Sequence, residues 1–245
     1  MIVARFKGYS GSRVELLQEN GQTFVRKTGN CQRNYSRLSV LAERGYPVCQ
    51  VLEIGDNYLD IEYIHGLDML NYLQRHNVND LIDFLCDVIT AFAETGHDRD
   101  YTDIFQAKFS EIDFTELPFD QDQLLTKLDS IQPQSDYHGD LTLENIIYSR
   151  TRGFVLIDAV DIAYDGYRFD LAKLAQDLVA KWFLRNTKIN LDYKLQTLTA
   201  ALDDRFGITS NELIISQLLR VYRHAQNDLP TRNFLIERMR KLWKS

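Results

Sequence analysis

The chain has 245 residues, of which 44% are hydrophobic and 26% charged, with a formal net charge of −7. That balance is ordinary for a globular protein and argues against a general nucleic-acid binder. No apolar run approaches the roughly 20 residues that a membrane helix needs, so no membrane span is expected. The length suits one large domain or two lobes sharing a cleft. Thirteen Tyr and thirteen Phe are ample for a sizeable core. Met1 to Arg5 lack the apolar stretch of a signal peptide. Cys31, Cys49 and Cys86 are odd in number and widely spaced, forming neither a zinc pattern nor a disulfide frame. These features predict a cytoplasmic location. They assign no oligomeric state.

Residues 2–7 and 14–19 read as strands joined by a turn containing Gly8, Ser10, Gly11 and Ser12. Asn20-Gly21 predicts a type I′ hairpin turn, because both positions need positive φ, and it leads into a third strand at 22–27. A Gly- and Ser-rich flap can close over phosphates, its glycines letting backbone N–H groups approach the anion. Taken alone the turn is a weak signal, since any tight hairpin uses such residues. Residues 32–44 predict a helix with Tyr35, Leu38 and Leu41 on one face and Gly45 at its end. Strands follow at 48–54 and 58–63. After Ile64-His65-Gly66 the pattern turns helical. The lobe boundary is set there, giving an N-lobe of 1–64 and a C-lobe of 65–245.

Residues 79–95 form the clearest helix, with Leu81, Leu85, Val88 and Phe92 in one stripe and Asn79 or Asp80 as cap. Shorter helices are predicted at 101–111 and 120–131. Strands at 146–148 and 154–157 flank a turn. A helix at 170–185 turns Leu171, Leu174, Leu178 and Trp182 inward. Thr209-x-x-Glu212 reads as a capping box opening a helix at 210–226. Pro230 separates it from a last helix at 231–243. Residues 220–245 are rich in Arg and Lys. A solvated helix face is the simpler reading, and a phosphate-bearing acceptor or an acidic partner the other.

The stretch Tyr137 to Ile147, followed by Leu156-Ile157-Asp158, carries the chemistry. Phosphoryl transfer to an alcohol needs the phosphates held, their charge neutralised, and the hydroxyl aligned and relieved of its proton. Asp140 is the candidate base or orienter. Asn145 can offer an amide oxygen to a metal, and Asp158 the hard anionic oxygen that Mg²⁺ prefers. Lys27, on the strand after the flap, is placed to pair with phosphate oxygens. The plainer alternatives are turn-forming residues with local hydrogen bonds for the three loop positions, and a surface lysine on an edge strand for Lys27. His138 reads as a buried hydrogen-bonder, Asp161 and Asp165 as loop acids or acceptor contacts, and Asp170 as a helix N-cap.

His138-Gly139-Asp140-x-x-x-x-Asn145 followed by Ile157-Asp158 resembles the catalytic core of the aminoglycoside phosphotransferase/choline kinase family, distant relatives of protein kinases. Phe24-Val25-Arg26-Lys27 is similar to the family's strand lysine. Leu59 to Ile64 with Gly66 is similar to its inter-lobe hinge, and Asp170-Leu171-Ala172 to its Asp-Leu-Ala helix start. The resemblance implies an α+β, two-lobed, protein-kinase-like fold, with a small antiparallel-sheet N-lobe and a larger, mainly helical C-lobe. It implies ATP and Mg²⁺ in the cleft, with adenine near Glu62, Tyr63 and Ile64. Asp140 would be the catalytic base, Asn145 and Asp158 the metal ligands, Lys27 the phosphate contact and Asp170 a brace behind the loop. The acceptor would be a small-molecule alcohol: a sugar, polyol or amino alcohol, an aminoglycoside included. His138 to Asn145 and Asp170 to Leu178 are also similar to a subgroup linked to surface-polysaccharide synthesis. Two features depart from the kinase pattern. Asn34 stands where the helix normally offers Glu to the lysine, leaving an amide, Asp158 or ATP itself to hold Lys27. Ala159 after Asp158 removes the Phe-Gly switch. The competing readings are a non-catalytic nucleotide-binding pseudokinase or assembly factor, which the intact Asp140, Asn145 and Asp158 set argues against and the missing Glu mildly favours, and a protein kinase. The short interval from Asp158 to Asp170 leaves little room for a peptide platform.

Overall fold

The computed structural model describes residues 1–6, 13–207 and 209–244. In chain order these form β1 (Ile2–Phe6), β2 (Arg13–Glu19), β3 (Gln22–Thr28), α1 (Gln32–Glu43), β4 (Val51–Gly55), β5 (Tyr58–Glu62), β6 (Leu67–Asp68) and α2 (Met69–Arg75). There follow α3 (Asn79–Ala93), β7 (His97–Asp100), α4 (Thr102–Phe109), α5 (Gln121–Lys127), β8 (Ile131–Gln134), β9 (Ile146–Ser149) and β10 (Gly153–Leu156). The last elements are α6 (Tyr167–Leu178), α7 (Asp192–Phe206), α8 (Asn211–Tyr222) and α9 (Leu229–Lys244). The chain divides into two compact units, Met1–Arg75 with Glu144–Ile162, and His76–Leu143 with Ala163–Ser245. Gly8, Ser10, Gly11 and Ser12 lie outside the described residues.

The first unit is built on an antiparallel sheet in the order β1-β2-β3-β5-β4. Asn20 and Gly21 have φ of 52° and 80°, the two positive values a type I′ turn needs, and Glu19 pairs with Gln22 across it. Arg26 and Asp60 are cross-strand partners, and the guanidinium grips the buried carboxylate through two bonds of 2.7 and 2.6 Å. Alternation along β3 puts Lys27 on the opposite face from Arg26. Helix α1 buries Leu38 and Leu41 together with the polar Asn34 and Arg37. A second, smaller sheet runs β10-β9-β6. Gly66 is required beside it, because a Cβ there would strike the Tyr148 carbonyl. Tyr72 of α2 packs on Tyr148 and Phe154 with ring centroids 4.8 and 5.0 Å away. Leu156 bridges in parallel to Val48 and accepts from Cys49 N at 2.9 Å. These bonds tie β9 and β10 to the first unit.

The second unit centres on α6. Nine of its residues are buried, as a helix surrounded by neighbours requires, and α3, α7 and α8 pack on it. The α3 stripe of Leu81, Leu85, Ile89 and Phe92 is fully enclosed. Each such side chain contributes about 1.5–3 kcal/mol. Tyr101, Tyr164 and Phe169 form a ring cluster with centroids 4.8 to 5.0 Å apart. Asp165 is an internal bracket: it takes both Arg99 bonds at 2.8 and 2.7 Å, the Tyr101 hydroxyl at 2.8 Å and Gln134 at 2.5 Å.

Several local features differ from the sequence reading. Helices α2 and α7 and the pair β7–β8 are additional. Strand β7 is His-Asp-Arg-Asp, with no apolar alternation, and β7–β8 is secured by Asp165 gripping Arg99 and Gln134 instead. Helix α6 opens at Tyr167, so Asp170 lies inside its first turn and Gly166 is the N-cap. The helix predicted through 185 stops at Leu178; Lys181 enters the left-handed region at φ 57°, and Trp182–Leu184 forms a 3₁₀ turn. Ser210, not Thr209, caps α8, accepting from Leu213 N at 3.2 Å. Val78 is the N-cap of α3, and the Asn77 side chain accepts from Asn79 N at 3.1 Å. Pro230 falls in the first turn of α9, where its missing N–H has no helical partner to lose.

Candidate active site

The chemistry-bearing side chains form one cluster in each unit. In the first, Lys27 Nζ meets Asp158 Oδ1 at 2.6 Å. Asp158 follows β10 with φ of 57°, a conformation that Asp tolerates better than most residues. Asn34 of α1 donates its amide to the same Asp158 Oδ1 and to the Ala159 carbonyl, both at 2.9 Å. This explains the residue found where a kinase helix carries Glu. Lys27 pairs directly with Asp158, so position 34 faces a carboxylate and must donate. A Glu there would set two negative charges together. Asn145, ending a 3₁₀ turn at Leu143–Asn145, accepts Ile157 N on its own carbonyl at 2.9 Å, which fastens the turn to the β10 exit.

Glu62 is occupied within the sheet. Its N–H donates to Gln50 O at 2.9 Å, its carboxylate accepts Gln50 N at 2.8 Å and pairs with Arg152. Tyr63 meets His65 edge to face at 4.6 Å, and Ile64 is half-buried. The three thiols are free. Burial pushes the Cys49 thiol up to about 12 and raises Cys31 and Cys86, so none is poised as a nucleophile.

In the second unit, α6 holds the loop that carries Asp140. The Asp170 carboxylate accepts two successive backbone N–H groups, those of His138 and Gly139, the latter at 2.9 Å. Gly139 has φ of 87°, the left-handed geometry that lets consecutive amides converge on one carboxylate. His138 is fully buried, and its Nδ1 accepts Asp140 N at 3.3 Å. Asp177 accepts Leu143 N at 2.7 Å. Asp170 and Asp177 are seven residues apart on one helix face, so α6 grips both ends of the loop.

Lys173 lies between them on that face. Its Nζ is 3.2 Å from Asp140 Oδ1 and 3.2 Å from Gln176 Oε1. From α8, Arg220 donates to the Gly139 carbonyl at 3.0 Å and to Gln217 at 2.6 Å, and comes within 4.0 Å of Asp140. Burial pushes the Asp140 carboxyl up, but the Lys173 ammonium, the Arg220 guanidinium and His138 outweigh it and hold the carboxyl down at about 2. Burial lowers Lys173, and Asp140 pulls it back toward the charged form.

Lys173, Asp177 and Arg220 are site neighbours to which the sequence reading gives no role. The usable signal is charged residues at i, i+3 and i+7, Asp170, Lys173 and Asp177, inside a helix whose other buried residues, Gln176 apart, are apolar. The C-terminal basic residues do not form one solvated face. Arg220 turns inward, Arg223 pairs with Glu111 at 2.9 Å, Arg232 with Glu116 at 3.2 Å and Lys241 with Glu237 at 2.6 Å. Among the described residues no group of three or more His, Cys, Asp or Glu side chains forms a ready-made metal cage.

No family model and no curated protein matches the chain. Solved structures do. A thermostable mutant of aminoglycoside phosphotransferase APH(4)-Ia is 12% identical, with a TM-score of 0.70 over 98% of this chain and 93% of that one. Choline kinase LicA from Streptococcus pneumoniae, in complex with AMP, is 14% identical, with a TM-score of 0.59 over 99% and 91%. A putative fructosamine-3-kinase from Haemophilus somnus 129PT is 13% identical, with a TM-score of 0.59 over 98% and 90%. The antiparallel sheet near the N-terminus and the mostly helical remainder are thus those of a protein-kinase-like fold, the one these small-molecule kinases share.

Proposed function

We propose that the chain is an ATP- and Mg²⁺-dependent phosphotransferase that transfers the γ-phosphoryl group to a hydroxyl of a small molecule. The observation that carries this reading is the 2.6 Å pair of Lys27 with Asp158, residues 131 apart in the chain, on a kinase-like fold. A strand lysine beside a carboxylate at a strand exit is what phosphate and metal binding need together.

The donor set suits Mg²⁺. Asp158 brings a half-exposed carboxylate and Asn145 an amide oxygen. Mg²⁺ takes one or two such ligands and completes its shell with phosphates and water, so a full protein cage is not required. When bound, the ion neutralises charge on the phosphate oxygens. Lys27 adds a further positive charge to those oxygens. With the Glu62 N–H committed to Gln50, the backbone at Tyr63 and Ile64 is left to serve the adenine edge. Gly8, Ser10, Gly11 and Ser12 would supply backbone N–H groups to the phosphates.

Asp140 accepts a hydrogen bond from the acceptor hydroxyl and aligns its oxygen. As the new O–P bond forms and the bond to the β-phosphate oxygen breaks, the hydroxyl proton passes to Asp140 and ADP leaves. Asp170 and Asp177 keep the loop from moving during that step. The acceptor is a sugar, polyol or amino alcohol, aminoglycosides included. We assign a cytoplasmic location from the three free thiols. No helix among the described residues is long and apolar enough to cross a membrane. Calorimetric titration with ATP and Mg²⁺ tests the nucleotide half of this reading. Saturable, Mg²⁺-dependent binding is expected, lost in Asp158→Ala, and a flat titration of the wild type would overturn it.

A further inference from the structure

Helix α6 does more than brace the loop. Lys173 is buried, with 6% of its side chain exposed, whereas Asp140 keeps 33%. A lysine is rarely enclosed to that degree unless its charge has a defined partner. Here Asp140 Oδ1 and Gln176 Oε1, each 3.2 Å away, both hold the ammonium. Lys173 is also one helical turn from Asp170 and one from Asp177, the two residues that hold the loop backbone. A single helix face therefore sets both the path of the loop and the rotamer of Asp140.

We propose that Lys173 is a positioning residue for Asp140: its fixed ammonium holds the carboxylate in one orientation and in its charged form, so that Asp140 meets the acceptor hydroxyl as an oriented hydrogen-bond acceptor. This rests on the reading of Asp140 as the group that receives the hydroxyl proton. It adds a consequence for timing. A carboxylate held this firmly in its ionised form is a weak base, so it gains the proton only as the O–P bond forms and the alcohol oxygen becomes acidic. That order suits a loose phosphoryl-transfer transition state, in which the nucleophile carries little early charge.

Asp140 faces Lys173 from α6, Arg220 from α8 and His138 from its own loop. Lys173 feels Asp140, Arg220 and Asp177. Arg220 feels Asp140, Tyr164, Asp170 and Arg223. Arg220 is also bonded to Gln217 and the Gly139 carbonyl. Lys173 is thus the cation whose removal most directly releases Asp140.

The test is Lys173→Met, which keeps the length of the side chain and removes the charge, read beside Lys173→Arg. With the ammonium gone, the burial that raises the Asp140 carboxyl loses the largest charge that opposes it, so the carboxyl titrates at higher pH. In the wild type the Asp140 carboxyl is held down at about 2, so it adds no acidic limb to kcat/KM at ordinary pH. In Lys173→Met an acidic limb should move up by at least one pH unit. The variant should lose about 10- to 100-fold in kcat through misorientation, with KM for ATP changed less than threefold. Lys173→Arg should restore the wild-type pH profile at least in part.

Carbon-detected NMR titration of the Asp140 carboxyl reads the same shift without turnover, and so stays informative if the acceptor is wrong. An Asp140 titration unchanged in folded Lys173→Met would overturn the proposal. If Lys173→Met does not fold, Lys173→Gln is read in the same way. Asp140→Ala that retains full turnover would overturn the underlying reading of Asp140 instead. Loss of turnover in Asp140→Ala with an unaltered Asp140 titration in Lys173→Met would overturn the role of Lys173 alone.

Discussion

Asp158 and Asp140 are each held beside a lysine, but by opposite means. Asp158 is fixed by side chains: Lys27 and the Asn34 amide share one of its oxygens, and 45% of its side chain is exposed. Asp140 sits on a loop whose backbone N–H groups are gripped by two carboxylates of a buried helix, and its lysine is enclosed. Side-chain pairs of the first kind can open and exchange partners when a ligand arrives with its own charges. Backbone anchors of the second kind leave a group preoriented before any ligand is present. Under the proposed function, the first cluster would take up phosphate and metal and the second would align the hydroxyl.

The largest effects should come from the two carboxylates. Asp140→Ala should cut kcat by about 10²- to 10⁴-fold with the fold intact by circular dichroism. Asp158→Ala should abolish turnover by removing the proposed metal ligand. Stability should then separate the clusters. Asp170→Asn turns an amide N–H toward a backbone N–H and leaves a buried donor unsatisfied. It should cost about 1–3 kcal/mol in urea denaturation. Asp158→Asn, half-exposed, should shift the urea midpoint far less; an equal loss in both would erase the contrast drawn above. Lys27→Met should raise KM for ATP by about 10- to 100-fold, the range expected for a lost charge-assisted bond. The smallest effect is expected at Asn34. Asn34→Ala should raise KM for ATP several-fold, and Asn34→Glu should do worse, because a carboxylate would then face Asp158.

Much of this was legible beforehand because it rests on local rules. The Asn20-Gly21 turn, the α3 stripe and the early antiparallel strands follow from positive φ and residue period. The kinase-like fold follows from the ordered motifs. What stayed hidden depends on tertiary partners. Strand β7 has no apolar pattern and is secured by Asp165, whose role in a loop no spacing reveals. The start of α6 is hidden because Asp170 looks like a cap, whereas its carboxylate serves the amides of a distant loop. The sequence allows an amide, Asp158 or ATP as the partner of Lys27. The structure shows an Asp158 pair with the Asn34 amide on the same oxygen. Lys173 and Arg220 are not legible in the sequence, because a buried cation reads there as one more charge on a helix face.

The central claim is phosphoryl transfer through Asp140. Its most direct test is phosphorus NMR of the protein with ATP, Mg²⁺ and a panel of sugars, polyols, amino alcohols and aminoglycosides, run beside Asp140→Ala. The account predicts a new phosphomonoester resonance that grows in step with ADP for at least one acceptor and is absent in the variant. No phosphomonoester with any acceptor, or the same resonance at the same rate in Asp140→Ala, would contradict it.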